Sequence, residues 1–223
     1  MIRCYSISVL AGCCVVAALA TAGCNHVSAQ ASDPAREQVS LTGSELYGAC
    51  AACHGASGEG NAAVRAPRIG GLPSWYIASE LQRFQHNLRG KHPDDADGLR
   101  MRAMARQLFS DAEVAAVAEY VSQLVPVSTA ASLTAGDMAS GEALYAECAS
   151  CHGARGEGDE QLRTPPLAGR DDWYIDKQIR KFRAGVRGTA AGDELGRQMQ
   201  AVAATIDADS IQHVSAYLHT LSR

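Results

Sequence analysis

The chain has 223 residues, 47% apolar and 20% charged, with a formal net charge of −4. That balance excludes a disordered chain, and arginines scattered among acidic residues, with no basic run, exclude nucleic acid as a partner. Aromatic residues make up only 5%. That is thin for domains of under ~100 residues, so something other than side chains is expected to fill part of the interior.

In chain order, Arg3, the apolar stretch from Val9 to Ala20 and the small residues after it read as an export signal over residues 1–31. The stretch is too short to span a bilayer. Ala29-Gln30-Ala31 suits signal peptidase, whereas Thr21-Ala22-Gly23-Cys24 resembles a lipobox, and Leu10-Ala11-Gly12-Cys13 matches one better but comes too early. Association with a membrane is expected only if Cys24 is lipidated. With the signal removed, 19 basic and 24 acidic side chains remain, a net of −5, which would favour a basic partner surface if the acidity is concentrated on one face.

The remainder is a repeat. A shift of 98 residues superimposes Gly43 on Gly141, Tyr47 on Tyr145, Cys50 on Cys148, His54 on His152, Pro67 on Pro165, Trp75 on Trp173 and Met101 on Met199. After a one-residue gap, Tyr120, Val121 and Leu124 match Tyr217, Leu218 and Leu221. The repeat predicts domains over 40–125 and 137–223, joined by a linker over 126–136 where apolar periodicity stops and Ser, Thr and Ala dominate.

Thr42-Gly43-Ser44-Glu45 has the form of a capping box, with Leu41 and Leu46 placed as a hydrophobic staple, so a helix should start there and lead into the first cysteine pair. Ile77, Leu81 and Phe84 at helical spacing predict a helix from Ser74 to about Asn87. Val114, Val117, Tyr120, Val121 and Leu124 predict another over Ser110 to Leu124. The second half copies these with Ile175, Ile179 and Phe182, then Ile211, Val214, Tyr217, Leu218 and Leu221. No alternating pattern competes, so the fold is read as all-α, with loops such as Gly55 to Gly71 wrapping a flat ligand. Gly43 with Tyr47, and Gly141 with Tyr145, suit close packing against the helices carrying Tyr120 and Tyr217.

Eight cysteines in an exported chain raise a disulfide framework, but four lie in or beside the signal. The other four form Cys50-x-x-Cys53-His54 and Cys148-x-x-Cys151-His152. In that motif two thiols add to the vinyl groups of a haem while the adjacent His is directed at the iron. A thioredoxin-like site needs a βαβ setting, and structural zinc sites use spaced ligand pairs. Neither fits. Two covalent haem c groups are therefore expected. A Met lies 47 residues after each motif histidine, which nominates Met101 and Met199 as second axial ligands. Met104 has Val202 as its counterpart and is assigned to core filling; Met138 is given no role. Pro67 and Pro165, each 13 residues after its histidine, are placed to offer a carbonyl to the other ring nitrogen. His26, His86, His92, His213 and His219 have no partners in the repeat and are read as surface or satisfied core residues.

With these motifs, the Pro-x-aliphatic-x-Gly segments at Pro67 to Gly71 and Pro165 to Gly169 and the late methionines, residues 40 to 223 resemble the di-haem cytochrome c4 family, two fused class I cytochrome c domains. The resemblance assigns axial ligation to Met101 and Met199. It implies a periplasmic one-electron carrier, taking electrons from a quinol-oxidising complex or dehydrogenase and delivering them toward a terminal oxidase. Trp75 and Trp173 depart from the family pattern. The alternatives are a di-haem peroxidase, which needs one iron with a releasable site, and an electron-accepting subunit docked to a dehydrogenase.

Overall fold

In a computed structural model, residues 41–221 are described. The expected export signal and His26 lie outside these residues. Among them are eight helices: α1 (Gly43–His54), α2 (Ser74–Gln85), α3 (Ala96–Ala105), α4 (Asp111–Gln123), α5 (Met138–His152), α6 (Asp172–Arg183), α7 (Glu194–Thr205) and α8 (Ile211–Thr220). No strand forms among the described residues, only two isolated bridges, Asn61 with Ala66 and Asp159 with Thr164. No described helix is long and apolar enough to cross a membrane.

The capping box starts α1: the Thr42 hydroxyl accepts from Glu45 N at 3.3 Å, and the Glu45 carboxylate accepts from Thr42 N at 2.7 Å. Leu41 stays 43% exposed, so the staple is not buried. α5 starts earlier in its repeat, capped by Asp137. Met138 is thus its first residue rather than part of a linker. α2 stops at Gln85, short of the expected Asn87, which has φ 63°. Ser110 caps α4 from outside through Glu113 N.

Sequence periodicity missed α3 and α7, the helices that carry Met101 and Met199. In α3 the long apolar residues are Leu99, Met101 and Met104. They make no continuous stripe, because part of this helix faces a cavity rather than the core.

In each half the first helix packs on the last, α1 on α4 and α5 on α8. Glycine permits the contact: a Cβ on Gly43 would lie 2.2 Å from Ala116 O, and one on Gly141 2.3 Å from His213 O. The paired tyrosines meet at a tilt in the gap, with ring centroids 5.4 Å apart for Tyr47 and Tyr120 and 5.8 Å for Tyr145 and Tyr217. Two separate cores result. One is built on Leu72, Ile77, Leu81, Phe84, Val114, Val117 and Val121, the other on Ile175, Ile179, Phe182, Ile211, Val214 and Leu218.

The described residues belong to one compact unit, and ion pairs join its halves. Arg83 of α2 pairs with Asp193, and Lys181 of α6 pairs with Asp95. Each pair maps onto the other by the 98-residue shift. Both carboxylates also cap the methionine-bearing helices, Asp95 accepting from Gly98 N at 2.9 Å and Asp193 from Gly196 N at 2.8 Å.

The segment joining the halves is strapped down. Arg68 donates to Val127 O, Thr129 Oγ1 donates to Asp171 at 2.8 Å, and the Ser132 and Leu133 amides each donate to Asp172 at 2.7 Å. Its polar composition reads as a flexible linker, yet those polar groups are used to hold the start of α6.

Candidate functional site

α1 delivers Cys50, Cys53 and His54 from its last turn, and Gly55 ends it at φ 80°. The Tyr47 hydroxyl donates to Gly55 O at 2.7 Å, and Tyr145 does the same to Gly153 O at 2.6 Å. Burial pushes both tyrosines up to about 12, so they stay protonated donors that lock the chain just past each histidine.

His54 Nδ1 donates to Pro67 O at 2.8 Å, and His152 Nδ1 donates to Pro165 O at 3.0 Å. A carbonyl only accepts, so the proton sits on Nδ1 and Nε2 keeps its lone pair for a metal. Burial makes each imidazole harder to protonate further, opposed by the bond to proline; Arg170 adds to the lowering at His54.

Cys50, Cys53, His54, Pro67, Met101 and Met104 line one cleft, whose empty space, open mouth included, is about 1330 Å³. Its walls are largely apolar, from Ile69, Leu72, Ile77, Leu81, Phe84, Val117 and Val121. Met104 is therefore at the cleft rather than filling the core, although its sulfur accepts from Gln107 Nε2 at 3.6 Å; Met101 packs against the core. In the second half, Cys148 and Met199 pack against one core and His152 is buried. All four described cysteines are free thiols. Burial pushes Cys50 and Cys148 up.

The cleft continues to the contact between the halves, where Trp173, Tyr174, Lys177, Gln178 and Lys181 complete its wall. Glu80 sits there among three guanidiniums, 3.2 Å from Arg187, 3.2 Å from Arg83 and paired with Arg89. Burial pushes its carboxyl up, but the Arg89, Arg187 and Arg83 charges outweigh burial and hold it at about 2. Gln178, its counterpart in the repeat, accepts from Arg89 at 3.1 Å and Arg187 at 3.0 Å. Arg89 also donates to Tyr174 OH at 2.8 Å. The two arginines lie over matched rings, Arg89 4.7 Å from the Phe84 centroid and Arg187 4.5 Å from that of Phe182. Apart from Phe84 and Phe182, read only as core positions, these residues were not singled out from sequence. Glu80 and Gln178 differ, but so do other positions of the two helices, Ser74 and Asp172 or Ser79 and Lys177 among them, so that change did not stand out.

Free thiol pairs, a histidine with its Nε2 lone pair available, a methionine and an apolar cleft fit a haem. The family model for cytochrome c matches residues 40–125 and again 138–222. The chain belongs to the cytochrome c family. It is 37% identical over 185 residues to the thiosulfate dehydrogenase electron acceptor of Thiomonas intermedia (strain K12), covering 76% of each chain. It is 30% identical over 183 residues to cytochrome c4 of Azotobacter vinelandii, covering 77% of this chain and 84% of the relative. The crystal structure of reduced recombinant cytochrome c4 from Pseudomonas stutzeri superimposes with a TM-score of 0.66 at 27% identity, covering 81% of this chain and 97% of that one. This cytochrome is thus of the di-haem c4 type: two tandem all-α domains, two covalent haem c groups, and electron transfer between redox partners as its function.

His213 and His219 turn out to be satisfied structural residues. His213 Nδ1 accepts from Asp137 N at 2.8 Å, and His219 Nδ1 donates to Arg170 O at 2.8 Å.

Proposed function

We propose that this cytochrome is an exported, periplasmic electron shuttle. In this reading Cys50 and Cys53 hold one haem and Cys148 and Cys151 the other, with His54 and Met101, and His152 and Met199, as the axial pairs. The domains run over 40–125 and 137–223, joined through 126–136. Each haem supplies one-electron cycling between ferrous and ferric iron. The chain's own residues fix the ligands: Pro67 and Pro165 hold the imidazoles by Nδ1, and Asp95 and Asp193 cap the helices that present the methionines. Two ligands of this kind leave no open position for a substrate, which supports a carrier rather than a peroxidase. The observation that carries the reading is the matched set of thiols, proline-bonded histidine and methionine in both halves.

The donor is then a quinol-oxidising complex or a dehydrogenase and the acceptor a terminal oxidase, with Cys24 tethering the protein if it is lipidated. Similarity to a thiosulfate dehydrogenase electron acceptor favours one second reading, a partner docked to a dehydrogenase. Co-purification of a stoichiometric dehydrogenase would select it. The first experiment is a visible spectrum with a pyridine haemochrome count on protein matured in a haem-attaching host. Two haems per chain with the sulfur-to-iron charge-transfer band intact are expected. One high-spin haem would return the peroxidase reading. Met101→Ala should lower one potential and open that iron to added ligands while Met104→Ala does not; the reverse result would transfer the ligand role to Met104.

A further inference from the structure

Three cations from the second half line the cleft of the first: Arg170, Lys177 and Lys181. Lys177 is paired with Asp97, and Lys181 with Asp95 and with Asp97 at 3.6 Å. Arg170 has no such partner. Its side chain is buried, 3% exposed, its Nη1 has no hydrogen-bond partner, and no carboxylate lies within ion-pair distance among the described residues. Its guanidinium stands 5.7 Å from the Tyr174 ring centroid, an attraction that leaves Nη1 without an acceptor.

The local backbone explains why the side chain is held there. Arg170 N donates to Leu167 O at 3.3 Å and Arg170 O accepts from His219 at 2.8 Å. Nearby charges do not neutralise it. Arg68 of the first half is also buried, with its Nε unpartnered. Asp171 is already used, accepting from Arg68 N at 2.7 Å and from Thr129 at 2.8 Å. A buried guanidinium without an anion is costly, so the cleft is short of one negative group. The repeat offers no parallel: the position matching Arg170 is Leu72, buried in the first core.

We infer that Arg170 of the second half binds an acidic side arm of the haem held by the first half. Its charge then favours the reduced form of that site. This rests on the haem placement proposed above. A fixed cation beside a redox centre stabilises the state with one more electron, so the first potential is set partly in trans.

The test is a spectroelectrochemical titration of Arg170→Leu and Arg170→Lys, with waves assigned to halves through the Met101 and Met199 variants. Arg170→Leu should move the first wave to lower potential and leave the second in place; Arg170→Lys should stay near the parent. The resonance Raman bending band of one haem's carboxylate arms should shift in the leucine protein only. Two unmoved waves, or two waves lowered equally, overturn the inference. If Arg170→Leu does not accumulate with two haems, Arg170→Gln answers the same question, since it keeps a hydrogen bond and removes the charge. An unmoved first wave there also overturns it. The haemochrome count and charge-transfer band of each sample separate this failure from failure of the ligand assignment.

Discussion

The two halves share a scaffold and differ where they meet. Thiols, histidine, proline carbonyl, tyrosine lock and close glycine contact recur at matching positions. Glu80 against Gln178, Leu72 against Arg170 and Met104 against Val202 do not. The first group shapes a haem-sized space and anchors its ligands, so each half needs it. The second sits at the shared face or the cleft, where one copy of a charge serves both halves and a second copy is not needed.

The largest expected effect separates the halves outright. Cys148→Ala should impair covalent attachment in the second half alone, dropping the haemochrome count toward one per chain. A count of two in that variant would mean the thiol has been misassigned. Next is the broken match at the centre. Glu80→Gln makes the first half resemble the second but leaves Arg89 and Arg187 without a counter-charge. A loss of about 3 kcal/mol in chemical denaturation at neutral pH is expected, relieved when Gln178→Glu is added. The sign with pH follows from the depressed carboxyl, ordinarily at 4.5 and here at about 2. Its stabilisation is complete above about 4.5 and disappears as pH falls through about 2, so parent and Glu80→Gln should converge over that window.

Smaller effects test what the halves share. Gly43→Ala and Gly141→Ala each drive a methyl into a carbonyl of the opposing helix, and each should cost about 1–3 kcal/mol in denaturant unfolding. Unequal costs would show that the two helix contacts are not equivalent. Smallest, Thr42→Ala removes the capping box that only the first half uses and should cost about 1 kcal/mol, visible as a lowered midpoint in thermal unfolding followed by circular dichroism.

Legibility in the sequence follows the same division. Cys50-x-x-Cys53-His54, its copy, the bond from His54 to Pro67 and the fit of Gly43 against α4 could all be read, because each rests on a fixed local spacing or on repetition. Helix α3 could not, since residues turned toward a cofactor obey no core-facing period, whereas Leu195, Met199, Val202 and Ala203 of α7 do stand at helical spacing. The cluster of Glu80, Arg89 and Arg187, and the burial of Arg170, were invisible for another reason. Their partners lie about a hundred residues away, and a lone charged residue reads as solvated surface until something is packed on it.

The reciprocal pairs Arg83 with Asp193 and Lys181 with Asp95 have one more consequence. Residues that meet across the join also carry each other's equivalents, so the contact has the character of a two-fold homodimer interface built into a single chain. A half released from its neighbour would expose Arg83 and Asp95 together, a face complementary to a second copy of itself. The strapped segment resolves that competition by proximity. It keeps the intended mate at a high effective concentration, so the face is satisfied within one molecule.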